Sequence, residues 1–168
     1  MGVKHAYSES EWTERKEFYI NEASKINIPI DATITQLKQL ISINNNLLTE
    51  AYFDKANIQE SLSREERRLK LYEEETWASI DWDSISQTKL IEKEKRAYVA
   101  KYITKVTREA DGIDLYSKTR LLASRYAFIE SVVYNLKDRA GALFNLLSLL
   151  KLETEQSKMD SYIGASNL

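Results

Sequence analysis

The chain has no cysteine, a single histidine (His5), a single proline (Pro29) and four glycines. Each scarcity excludes something. Without cysteine there are no disulfides and no thiolate metal sites. With one histidine there is no HExxH, no ExxH pair for a diiron bundle, and no credible Ser-His-Asp triad. So few turn residues cannot punctuate a β-sandwich or a doubly wound sheet. Apolar runs fall short of about 18 residues, so no transmembrane helix is expected. The start, "MGVKHAYSES", lacks the apolar stretch of a signal peptide. Gly2 is not followed by Ser or Thr at position 6, as myristoylation requires. Neither GxxxxGK[ST] nor GxGxxG occurs, which removes nucleotide binding by those routes. No cofactor, metal or catalytic residue is expected, and the reading is of a non-enzyme.

What is present is helix-forming. Hydrophobic residues make up 43% of the chain and charged residues 30%, a balance that suits one soluble helical domain. The net charge of −2 hides an asymmetry: residues 1–85 sum to −6, residues 86–151 to +6 and residues 152–168 to −2. Packing of one half on the other would neutralise both. A basic C-terminal half presented to a polyanion is the alternative.

The organisation reads as an N-terminal arm or short helix (1–25), a helical domain (26–154) and a flexible tail (155–168). Ser8 and Glu11 have capping-box spacing, predicting a helix over about 9–23. "INIPIDATITQ" (26–36) is an extended lead into a helix start, capped by Asp31 or by Thr33 with Gln36. A long helix over about 32–79 follows. Ile34, Leu37, Ile41, Leu48, Ala51, Ile58, Leu62, Leu69 and Tyr72 lie on one 3–4 ladder, the seam of a coiled coil. Asn44 and Lys55 interrupt it, and "SINNN" (42–46) is a possible break. Ser84 with Gln87 or Asp83 caps a second helix, about 85–109, which ends at Gly112. A third helix, about 114–154, carries Leu122, Tyr126, Ile129, Val133, Leu136, Ala140, Leu143, Leu147 and Leu150 at alternating steps of three and four. "ALFNLLSLLKL" (142–152) is apolar on nearly every side and needs covering all round. Neighbouring copies are the expected cover, with Leu136, Leu143, Phe144, Leu147 and Leu150 as the interface. The fold class is therefore all-α: a hairpin or bundle of long helices that assembles into a homo-oligomer through coiled-coil-like seams.

The charged stretch "SREERRLKLYEEE" (63–75) mixes two roles. Arg64, Arg67 and Arg68 span about 100° of the helix circumference. Glu60 lies four before Arg64, Glu65 three before Arg68, and Glu66, Glu73 and Glu74 surround Lys70, all at pairing distance along a helix. Arg67 has no such partner, which marks a small anion site. Further cations, at Lys93, Lys95, Arg96, Lys101, Lys105, Arg108, Lys137 and Arg139, lie among Tyr72, Trp77, Tyr98 and Tyr102. Cations beside aromatics are the ingredients of sequence-independent single-strand binding, although Tyr98 and Tyr102, one turn apart, also suit simple packing.

Taken together, "IPIDATITQ", "RRLKLYEEE", "LIEKEKRAYVAKYI" and "YNLKDRAGALFNLLSLLKLE" resemble, in order and spacing, the UvsY-type recombination mediators of T-even bacteriophages, over residues 26–153. Ala140 stands where that family has glycine, and Tyr72 where it has aspartate. The resemblance implies a ring-like homo-oligomer in the host cell cytoplasm. It would bind single-stranded DNA, displace single-strand-binding protein and load a RecA-like recombinase. By position, Arg68 and Lys70 match the family's DNA-contacting pair, and Lys137 and Arg139 match a later K-x-R. With Arg64 and Arg67 these form the expected nucleic-acid site. The rival reading is a scaffolding coiled-coil oligomer, or an adaptor bundle binding protein alone, in which every cation is solvated surface.

Overall fold

A computed structural model describes residues 7–85 and 90–165, with side chains up to residue 159. Every regular element in that range is helical: α1 (Glu9–Lys25), α2 (Ile34–Ser79), α3 (Trp82–Ile85), α4 (Glu92–Asp111) and α5 (Leu115–Ala165). His5 and Gln87 lie outside the described residues.

The helix ends follow from local chemistry. Ser8 Oγ accepts from the Glu11 amide while Glu11 Oε2 accepts from the Ser8 amide, so the capping box closes as expected. The same reciprocal pair forms between Thr33 and Gln36, which makes Thr33 rather than Asp31 the cap of α2. Gly112 ends α4 at φ 73° and donates to the Arg108 carbonyl. A side chain there would strain the left-handed backbone. Asp114 then starts α5 by accepting from the Ser117 amide. That hydrogen bond is the main reason its carboxyl is held below the ordinary range.

Three expectations shift. The 46 residues of α2 run unbroken through "SINNN", a length of about 69 Å at 1.5 Å per residue. The second helix starts at Glu92, seven residues later than predicted, with the single turn α3 before it. The third helix continues through the predicted tail to Ala165.

The chain divides into two compact units. One comprises residues 7–55 and 129–168. Its core combines Trp12, Tyr19 and Ile26 with Leu37, Ile41, Leu47 and Ala51 of α2 and Ile129, Val133, Leu136, Leu143 and Leu147 of α5. Asn44 Nδ2 donates to the Leu136 carbonyl at 2.9 Å, and Lys55 pairs with Glu130 at 2.7 Å. As numbers rise along α2 they fall along α5, so the two run antiparallel here. The arm is docked by one buried carboxylate. Asp54 Oδ1 accepts from the Tyr7 hydroxyl at 2.5 Å; Oδ2 accepts from Arg15 Nε at 2.5 Å and the Tyr19 hydroxyl at 2.6 Å. Arg15 also pairs with Glu50. The sequence ladder placed Lys55 and Leu48 on the seam, whereas Asp54 and Leu47 are the buried residues. Sequence hydropathy puts the carboxylate outside; three donors bring it in.

The other unit contains residues 56–128. Ile58, Val99, Ile103, Leu115 and Leu122 form its apolar core, interleaved with buried Ser61, Glu65, Thr76, Thr107, Asp114 and Arg125. Thr107 Oγ1 donates to the Ile103 carbonyl and accepts from the Leu115 amide, tying α4 to α5 across the turn. Here too the ladder slips by one residue. Ser61 replaces Leu62 and Arg125 replaces Tyr126 at the buried positions.

Two expectations follow. Leu143 is fully enclosed, so Leu143→Ala should cost about 2–5 kcal/mol in denaturant unfolding, whereas Phe144→Ala, half exposed, should cost well below that. Burial and the hydrogen bond to Asp54 push the Tyr7 hydroxyl up to about 12, and the same causes raise Tyr19 further. A folded-state value above the ordinary 10 means the stability tied to this proton is intact below pH 10. It is lost as pH climbs from there through about 12. Tyrosinate absorbance followed alongside circular dichroism should show Tyr7 and Tyr19 ionising only as α1 detaches. Their ionising with the exposed tyrosines would contradict this.

Candidate nucleic-acid interface

The cations singled out in the sequence fall into two groups in different units. In residues 56–128, α2 turns Glu65 inward until its side chain is 6% exposed. A carboxylate so placed needs positive charge around it. Lys118 Nζ of α5 lies 3.0 Å from its Oε1, Arg68 Nη1 lies 3.6 Å from its Oε2, and Arg64 Nε lies 3.8 Å from Oε1. Arg68 also pairs with Asp111 at 2.8 Å, and its guanidinium lies over the Tyr72 ring. Burial opposes its charge, yet bonds to Tyr72 and Asp111 raise its pKa. Arg68, matched by resemblance to a DNA-contacting cation, is thus committed within its own unit.

Arg67 and Lys70 are not. At 100° per residue they lie about 160° and 140° from Glu65, on the solvent side of α2. Arg67 Nε donates to the Ser63 carbonyl one turn back and makes no ion pair among the described residues. Lys70 is 76% exposed and reaches Glu74 only at 3.8 Å. Arg64 is 44% exposed on the flank. This face also carries Glu60 and Glu74, so its charge is nearly balanced.

The second group lies in residues 7–55 and 129–168. The Lys137 ammonium lies 5.3 Å from the centre of the exposed Tyr52 ring. Arg139 Nη1 donates to the Ala23 carbonyl near the end of α1 at 2.6 Å, so this arginine serves the docking of the arm. Of the pair, Lys137 alone is exposed.

The more aromatic face is on α4, where exposed Glu94 and Glu109 share the side of its lysines. Tyr98, Lys101, Tyr102 and Lys105 follow the i, i+3, i+4, i+7 pattern of one helix face, and all four are exposed. The inward face of the same helix is Val99, Ile103 and Thr107. The buried packing of α4 is made by those other residues, while Tyr98 packs on the Trp82 ring nearer the surface. At the N-terminal end of this face Tyr98 meets Trp82 edge-on at 6.2 Å, Trp82 lies 5.0 Å from Trp77, and the Lys95 ammonium sits 5.1 Å over the Trp82 ring. The result is a row of rings flanked by three lysines. Sequence reading noted these residues without assembling them. The i+3/i+4 spacing of Tyr and Lys opposite Val99 and Ile103 was the available signal. Trp82 was beyond reach, because its place depends on how α3 folds back towards α4.

Of the assembly residues, Leu136, Leu143 and Leu147 are buried within the protomer's own core and are not presented to a partner. Phe144 is exposed and Leu150 half-buried; Leu146, Leu149 and Leu152 are further exposed apolar side chains on this stretch. Among the described residues no group of three or more His, Asp or Glu side chains could hold a metal ion, and no helix is long and apolar enough to cross a membrane.

Compared with protein families, curated proteins and solved structures, the chain matches none of them.

The pairing of Glu65 makes a clear distinction. Arg68→Ala removes one counter-charge from a buried carboxylate and should cost about 1–3 kcal/mol in urea unfolding. Arg67→Ala, on the solvent side of α2, should stay within about 0.5 kcal/mol of wild type.

Proposed function

We propose that this protein is a non-enzymatic binder of single-stranded DNA that acts as a recombination mediator, helping a RecA-like recombinase onto strands covered by single-strand-binding protein. The observation that carries the reading is the solvent face of α4, where Tyr98 and Tyr102 alternate with Lys101 and Lys105 beside Trp82 and Lys95. Lysines that follow a phosphate backbone and rings that stack unpaired bases bind single strands without reading sequence. Arg67 and Lys70 on α2 add two exposed cations in the same unit. The order of motifs along residues 26–153 supports the mediator role specifically. An acidic chain that gathers rings and lysines on one mixed-charge face suits weak contacts that are repeated in an oligomer and add up there. Exposed Phe144, Leu149 and Leu152 support self-association. So does an apolar groove of about 360 Å³ lined by Ile28, Ile30, Leu37, Leu146 and Leu150.

The scaffold or adaptor reading shares the same helices and differs in one measurable respect. Wild-type protein should bind a single-stranded oligonucleotide at about 50 mM salt. Affinity should fall about 50-fold on raising salt to about 200 mM if four phosphates are contacted. Tyr98→Ala/Tyr102→Ala should weaken binding by about 1–3 kcal/mol per ring that carries a base. Lys101→Ala/Lys105→Ala should flatten the salt dependence. Absence of binding at the lower salt would leave the scaffold reading in its place.

A further inference from the structure

The unit formed by residues 56–128 contains a cavity that the DNA-binding reading does not use. It is an open-sided space of about 640 Å³ between the end of α2, the start of α4 and the start of α5, within the size range of small-ligand sites. Its apolar surface comes from Val99 and Ala100, with Trp77 and Tyr116 supplying rings. Three carboxylates and one arginine border it: Glu73, Glu74, Glu92 and Arg96.

Two of the three retain charge for a guest. Glu92 is satisfied by Arg96, whose Nη2 lies 2.5 Å away. Glu73 accepts the Tyr116 hydroxyl at 2.7 Å, a single neutral donor that leaves its charge uncompensated. Glu74 has only the long, water-exposed contact with Lys70 at 3.8 Å, a kind of pair worth little. Two carboxylates on consecutive residues at the edge of an aromatic-walled space repel anions. They attract a cation that is flat enough to lie on a ring and forked enough to reach two oxygens.

We infer that this cavity binds a guanidinium group carried on a short apolar stem. Guanidinium stacks on indole and phenol faces and donates in pairs to carboxylates, whereas an ammonium does the first less well and the second not at all. The stem would lie against Val99 and Ala100. Two sources share this chemistry: a free alkylguanidine, and an arginine displayed on the surface of another protein. The inference does not rest on the DNA-binding reading, since the site has the opposite charge.

The test titrates full-length protein with agmatine and, separately, with an acetylated Gly-Arg-Gly amide, followed by tryptophan fluorescence and calorimetry. The citrulline peptide, identical in shape but neutral, is the control. Saturable binding at about millimolar concentration or tighter is expected for guanidinium compounds and not for citrulline. Agmatine binding better than the peptide identifies a free ligand; the reverse identifies a displayed arginine. Glu74→Gln should weaken binding roughly tenfold, as loss of one charged hydrogen-bond partner does. Ala100→Leu, which narrows the cavity, should abolish it. Both variants should keep the wild-type circular dichroism, and Ala100→Leu should also keep the wild-type single-strand DNA affinity. Equal binding of citrulline and arginine peptides, or binding unchanged in both variants, would overturn the inference. Loss of DNA binding in wild type would leave it standing.

Discussion

A carboxylate on the inward stripe of a long helix must be answered by donors, and this constraint organises both units. Asp54 is answered by two tyrosine hydroxyls and an arginine, two of the three from α1. Glu65 is met closely by Lys118 of α5 at its Oε1 and only at longer range by Arg68 and Arg64 of α2, and its Oε2 takes no hydrogen bond. Leaving either unanswered would cost several kcal/mol, a large share of the total stability of a domain this size. The arm therefore docks, and α5 lies where its lysine reaches. Apolar burial supplies the bulk of the driving force, but it is non-directional. The acids select which helix lies where.

Much of this was legible in sequence because it rests on local rules. Capping boxes at Ser8 and Thr33 and the glycine stop at Gly112 need only three or four neighbouring residues, and they occur as read. Leu122, Ile129, Val133, Leu136, Leu143 and Leu147 repeat with a helical period over seven turns and are all buried. What could not be read was the choice between adjacent positions. Hydropathy prefers Leu62 to Ser61 and Tyr126 to Arg125. The packing prefers the polar residue in each case, because long-range partners are invisible to a window of a few turns. The apolar stretch 142–152 misled for a related reason. Its most regular leucines are consumed by the chain itself, which leaves Phe144 and Leu149 outside.

The cations show a division of labour that composition conceals. Arg15, Arg68 and Arg139, each with a fork of donors, are tied to buried acids or carbonyls. Lys70, Lys101, Lys105 and Lys137 stay in water. The split is not strict, since Lys118 reaches buried Glu65 and Arg67 stays in water, but a planar guanidinium satisfies two acceptors at once and a strongly hydrated ammonium resists burial. Counting positive residues in a segment thus overstates its free charge. The −6 and +6 halves of the sequence meet inside the unit of residues 56–128, through the pair of Glu65 with Lys118.

Asn44 has one further implication. Its amide nitrogen is bonded to the Leu136 carbonyl, but its oxygen is buried without a hydrogen-bond partner. A seam position filled this way gives up apolar packing for one bond from α2 to the backbone of α5. Any offset of the two helices would supply such a carbonyl, so the bond fastens the pair without choosing its register. The group works as a rivet rather than a key: it holds the two rods together at one point, and the leucines on either side decide how they are aligned.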